Sequence, residues 1–142
     1  MFQVSMRHVP IIRDFAEAER QWAARNPWRS GDPDEKMLGS RHQKNLKLHH
    51  VEGGGIAAKL YDLDVLTWYP DGRMRFLAHG STATQCLVRE MVPGVLAHFT
   101  GRGYSIAQYD TKLGDYVFRG MLGGAMWRQP DGSWDPMHCV SY

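Results

Sequence analysis

Hydrophobic and polar positions alternate in blocks along this chain, and the period of each block predicts its element. Ile11, Phe15, Ala18 and Trp22 recur at helical spacing, so they fall on one face of a helix predicted over 10–25. Pro10 suits the first turn of that helix, where its missing N–H costs nothing. Asn26-Pro27 ends it, because a residue before proline is pushed out of helical geometry. Arg13, Asp14, Glu17, Arg20 and Gln21 make the opposite, solvated face. The stretch 26–39 carries Pro27, Gly31, Pro33 and Gly39 among scattered charges and predicts an exposed, flexible loop.

Beyond it the period changes. A strand is predicted over 45–51, a turn at Glu52-Gly53-Gly54-Gly55, and one long strand over 56–69 whose imperfect alternation signals a bulge. Pro70-Asp71-Gly72 is tight-turn chemistry, and 73–78 returns as a strand with Met74 and Phe76 inward and Arg73 and Arg75 outward. Thr82 and Gln85 fit a capping box, and Leu87, Val88, Met91, Val92, Val95 and Leu96 extend a helical stripe over 82–99, which Pro93-Gly94 kinks or ends. A hairpin is predicted from Tyr104 to Phe118 around Thr111-Lys112-Leu113-Gly114, and a last one around Pro130-Asp131-Gly132. The two Pro-Asp-Gly turns have unrelated flanks, so they read as convergence on good turn chemistry. The sum is an α+β fold: one domain, with an antiparallel sheet of hairpins and two helices packed on one face.

Composition narrows the class. The 142 residues are 43% hydrophobic and 23% charged, which fits a globular chain and excludes wholesale disorder. No apolar run approaches the ~20 residues that cross a bilayer. Met1-Phe2-Gln3-Val4-Ser5 lacks the basic and apolar regions of a signal peptide, so a cytoplasmic, non-membrane setting is expected. Cys86 and Cys139 are too few for a disulfide framework or a metal knuckle. A net charge of +2 is too mild to imply nucleic acid alone. The charge is uneven, however. Asp32, Asp34 and Glu35 form an acidic knot, followed by Lys36, Arg41, Lys44 and Lys47 with His42, His49 and His50 among them.

No motif names a chemistry. His49-His50 point to opposite faces of a strand, and no His-x-x-x-His or Cys-x-x-Cys pair pre-organises a metal, so neither metal nor cofactor is expected. Ser81 is not in a nucleophile elbow, and Gly53-Gly54-Gly55 lacks the lysine of a phosphate loop. An enzyme would need Asp62, Asp64 and a histidine to converge. Two binding readings remain. Trp28, Trp127 and Trp134 with Asp32, Asp34 and Glu35 suit a protein partner, the acids imitating phosphate. Arg41, Lys44, Lys47, Lys59, Arg73 and Arg75 near Tyr61, Trp68 or Tyr69 suit nucleic acid, with the basic 36–50 segment as its centre. An edge strand also offers a route to a homodimer.

The order Asn45-Leu46-Lys47-Leu48, Ile56-Ala57-Ala58-Lys59-Leu60, Asp64-Val65-Leu66-Thr67, Pro70-Asp71-Gly72 and Thr82-Ala83-Thr84 resembles a module of small accessory proteins of tailed phages and prophages. It spans residues 45–118. Two departures stand out: His79-Gly80-Ser81 replaces a Gly-Gly-Trp, and Gln85-Cys86-Leu87 replaces a basic helix start. The resemblance implies a mobile-element accessory protein in the host cytoplasm, without catalysis. It implies a class rich in inhibitors of host defence, such as anti-CRISPR proteins, whose partner would be a host macromolecular complex such as a CRISPR–Cas effector.

Overall fold

Leu46, Leu48, Ile56, Ala58, Leu60, Leu66, Trp68, Met74 and Phe76 are all buried, and their even-numbered spacing puts them on one face of a sheet. The computed structural model describes residues 9–27, 31–38, 45–77, 81–100, 103–121 and 125–135. In chain order the elements are α1 (Phe15–Ala24), β1 (Lys36–Met37), β2 (Leu46–His50), β3 (Ile56–Leu60), β4 (Leu63–Trp68) and β5 (Met74–Leu77). Then come α2 (Thr82–Met91), β6 (Val95–Thr100), β7 (Gly103–Asp110), β8 (Asp115–Met121), β9 (Ala125–Arg128) and β10 (Trp134–Asp135). The α+β expectation holds. The strands form two sheets rather than one: an antiparallel seven-stranded sheet in the order β1-β2-β3-β4-β5-β9-β10, and a three-stranded sheet β6-β7-β8. Because β9 pairs with β5, α2 and the smaller sheet are an excursion between two neighbouring strands.

One cluster of buried side chains draws on both helices and both sheets, including Ala18 of α1, Leu87 and Met91 of α2, and Ile106 of β7. Two hydrogen bonds tie the segment before α1 into it. The Ile12 N–H donates to the Met91 carbonyl at 3.0 Å, and the buried Trp68 indole donates to the Ile12 carbonyl at 3.2 Å.

Several elements differ from the periodicity reading. The first helix starts at Phe15, capped by Asp14, whose Oδ1 accepts from the Glu17 N–H at 2.9 Å. Ile12, not Ile11, is buried, held there by its N–H bond to the Met91 carbonyl before the helix begins. The expected loop over 26–39 contains β1, paired with β2, and the fully buried Leu38. The expected long strand over 56–69 is a hairpin. Tyr61 turns it at φ 55°, with its N–H bonded to the Asn45 carbonyl at 2.7 Å. That costly left-handed backbone carries no glycine or asparagine signature for the sequence to show.

The second helix is capped one residue earlier than expected, by Ser81, whose Oγ accepts from the Thr84 N–H at 3.1 Å. It ends at Met91, and Gly94 at φ 79° turns the chain into β6, so 95–99 is strand rather than helix.

Candidate binding face

The face of the larger sheet opposite the core is built by the odd-numbered side chains of β2 and β3 and by their register partners. One cross-strand row reads His49, Ala57, Thr67, Arg75 and Trp127, from β2 through to β9. The neighbouring row is Lys47, Lys59 and Asp64. Strict alternation from Trp68 and Leu66 would bury Asp64. A bulge beside Ala58/Lys59 resets the phase, so Val65 joins the core and Asp64 faces Lys59 on the open side.

At one end of this face the charges close on one another. Glu35 accepts from Lys47 Nζ at 2.9 Å and from Lys59 Nζ at 2.7 Å. Those two lysines hold its carboxyl down to about 2, with the Lys59 hydrogen bond the larger cause. Glu35 in turn raises Lys59. His49 Nε2 meets Asp64 Oδ1 at 2.5 Å, and this hydrogen bond raises the imidazole against the opposing effect of burial.

The preceding acid is held as firmly. Asp34 takes the His50 backbone N–H at 2.7 Å and its Nδ1 at 2.5 Å. Burial opposes its ionisation, yet these bonds leave its carboxyl below the usual range. The Trp22 indole donates to the Asp34 carbonyl at 2.7 Å, stacks edge-on with His50 at 4.6 Å, and carries Lys36 Nζ 4.4 Å above its ring. The acidic knot is thus folded down onto the basic strands.

At the other end the face is aromatic. The Arg73 guanidinium lies 4.9 Å from the Trp127 ring centre and 5.7 Å from that of Tyr69, and the two rings are 5.3 Å apart. Arg73 Nε also donates to Asp71 Oδ2 at 2.7 Å. The two Pro-Asp-Gly turns lie side by side here: a Cβ on Gly72 would sit 3.1 Å from Pro130. That contact brings Trp127 alongside Tyr69 and Arg73. Tyr69 also covers Gly55, where a Cβ would meet its ring at 3.0 Å and the Thr67 methyl at 3.1 Å. Arg75, half-buried beside Trp127, has no ion-pair partner among the described residues.

The expected site residues scatter accordingly. Trp28, Arg41 and Lys44 lie outside the described residues. Trp134 is core: it is 6% exposed, its ring lies 5.0 Å from Phe76, and its indole donates to Gln108 Oε1 at 2.8 Å. Trp68 is also buried, so it offers no stacking surface, whereas Tyr61 is exposed at the β3–β4 turn. Asp32 is exposed, and its carboxylate accepts from the Asp34 N–H at 2.9 Å. Lys47 is engaged by Glu35. Trp127, Arg73 and Arg75, drawn from two different readings, share one patch.

Asp64 and His49 do converge, while Asp62 stays exposed in the turn. The pairing across β3 is invisible locally; only the register and the bulge reveal it. Among the described residues no group of three or more His, Cys, Asp or Glu is placed to hold a metal ion. No described helix is long and apolar enough to cross a membrane. A cavity of about 410 Å³ lies elsewhere, lined by Gln108, Asp110, Val117, Ser133 and Trp134 among others. Comparison with protein-family models, curated proteins and solved structures returned no match.

Proposed function

We propose that this chain is a non-enzymatic binding protein that engages a protein partner through the open face of its larger sheet, centred on Tyr69, Arg73, Arg75 and Trp127. The observation that carries the reading is Arg73 held over both aromatic rings, with Arg75, which has no ion-pair partner among the described residues, beside them. Tryptophan, tyrosine and arginine are the residues that dominate interface energetics, and a rigid stack loses little side-chain entropy on binding. A mobile-element accessory role, with a host defence complex such as a CRISPR–Cas effector as the partner, follows from the resemblance described above.

Nucleic acid is the weaker fit, because phosphate binding draws on several unpaired cations. Among the described cations of this face, Lys47, Lys59 and Arg73 each already hold a carboxylate, which leaves Arg75. The acids also serve a different purpose from phosphate imitation: Asp34 and Glu35 spend their charge inside the fold. Contact with the partner therefore falls to the aromatic end.

The test is an affinity pull-down from bacterial host lysate, with and without nuclease, using the wild-type chain and Trp127→Ala. A nuclease-resistant protein recovered in stoichiometric amount by wild type and lost with Trp127→Ala is the expected result. Recovery of nucleic acid alone, abolished by nuclease, overturns the reading.

A further inference from the structure

One cross-strand row on the core side of the larger sheet reads Ile56, Trp68, Met74, Arg128 and Trp134, from β3 through to β10. The other four side chains are buried, so the register sets a guanidinium among apolar neighbours. Arg128 is itself half-buried. Its Nη2 meets Met74 Sδ at 2.8 Å, and its Cζ lies 5.9 Å from the Phe76 ring centre. A thioether sulfur is a weak acceptor, whereas a guanidinium is a fork of several N–H donors. Among the described residues no carboxylate pairs with it. Burial lowers its pKa, and no acid opposes that effect. Arg25 shows the contrast. Burial acts on it in the same way, but it donates to Gln21 Oε1 at 3.1 Å and to the Met37 and Leu38 carbonyls at 3.2 and 2.7 Å. Cations taken out of water are as a rule paired, so unspent donors at Arg128 call for a partner.

We propose that Arg128 anchors a carboxylate from outside the chain, held as a bidentate pair along the edge of its guanidinium. Charge and shape select this ligand. The single positive charge of Arg128 is balanced by one carboxylate. A phosphate group, at about −1.5 to −2 near neutral pH, would bring unmatched charge among Met74, Phe76 and Trp134. The planar fork also matches the two oxygens of a carboxylate. The Phe76 and Trp134 rings, 5.0 Å apart, keep the surroundings apolar, where a charge-assisted hydrogen bond is strongest. Arg128 closes β9, next to the turn at Pro130-Asp131-Gly132, and its partial exposure leaves a way in from solvent. Trp127, the residue before it, faces the other side of the sheet beside Tyr69. The site is therefore separate from the binding face and does not rest on it.

The experiment is thermal unfolding of the full chain at neutral pH in sodium acetate, against sodium chloride at equal ionic strength. A titration up to ~100 mM acetate covers dissociation constants to ~10 mM. Acetate at about ten times its dissociation constant should raise the wild-type Tm by about 5 °C over chloride. Arg128→Met puts an unbranched apolar chain in the same place and should lose that rise. Arg128→Lys keeps the charge without the fork and should lose most of it. Circular dichroism identifies which variants fold, and calorimetric titration of wild type with acetate needs no variant. A wild type that neither binds nor gains from acetate overturns the proposal, and so does an equal gain in wild type and Arg128→Met. A short glutamate peptide separates the two sources of a carboxylate. If it binds as acetate does, an acidic side chain can fill the site; if it is excluded while acetate binds, the ligand is a free small acid. Both outcomes support the anchor.

Discussion

Replacing Glu35 with glutamine keeps the shape of the side chain and removes the charge that two lysines share. The ordinary glutamate value of 4.5 and the folded value of about 2 set a ceiling of about 3 kcal/mol on what that charge contributes at neutral pH. The ceiling is not reached, because Lys47 and Lys59 are 20% and 23% exposed and rehydrate when the carboxylate leaves. Screening by that water brings the expected loss to about 1.5 kcal/mol, or a fall of about 5 °C in Tm for a chain of this length.

The pH dependence has a definite sign. The folded value is depressed, so the stabilisation is complete above 4.5 and is lost as pH falls toward 2. Urea unfolding of wild type and Glu35→Gln should therefore show the full gap at about pH 7 and less than half of it by about pH 3. Coincident curves at neutral pH, or a gap unchanged in acid, would refute the idea that Glu35 clamps β2 and β3.

Three further outcomes are expected. Asp64→Asn should return the His49 imidazole toward its ordinary value in an NMR titration; in wild type the folded value is raised, so the contribution of this pair is present at low pH and fades as pH rises through it. Ser81→Ala should cost about 1 kcal/mol in urea unfolding while Thr82→Ala is nearly neutral, since the Ser81 hydroxyl caps the helix. Gly55→Ala should cost about 1–3 kcal/mol, because its methyl group would press on the Tyr69 ring and the Thr67 methyl, and it should weaken partner capture along with stability.

What the sequence by itself determined was local. Pro70-Asp71-Gly72 and Pro130-Asp131-Gly132 bend the chain by their own dihedral preferences, so both hairpins and the α+β class were legible. The helix around Phe15, Ala18 and Trp22 was legible from the helical spacing of those residues, although its start waited on the Asp14 cap. Where a turn lacked local chemistry, as at Tyr61-Asp62, pairing energy across the strands overrode propensity, and one long strand became two.

The candidate face belonged wholly to tertiary structure. Glu35 meets Lys59 across 24 positions and His49 meets Asp64 across 15, contacts set by strand register and by a bulge that turns Asp64 outward. Trp127 and Trp134 look alike in sequence, seven positions apart on two strands of one hairpin. One packs beside Tyr69 on the open face and the other against Phe76 in the core. Side-chain period assigns a residue to one of two faces, and only the packing of the helices and the smaller sheet decides which face is covered.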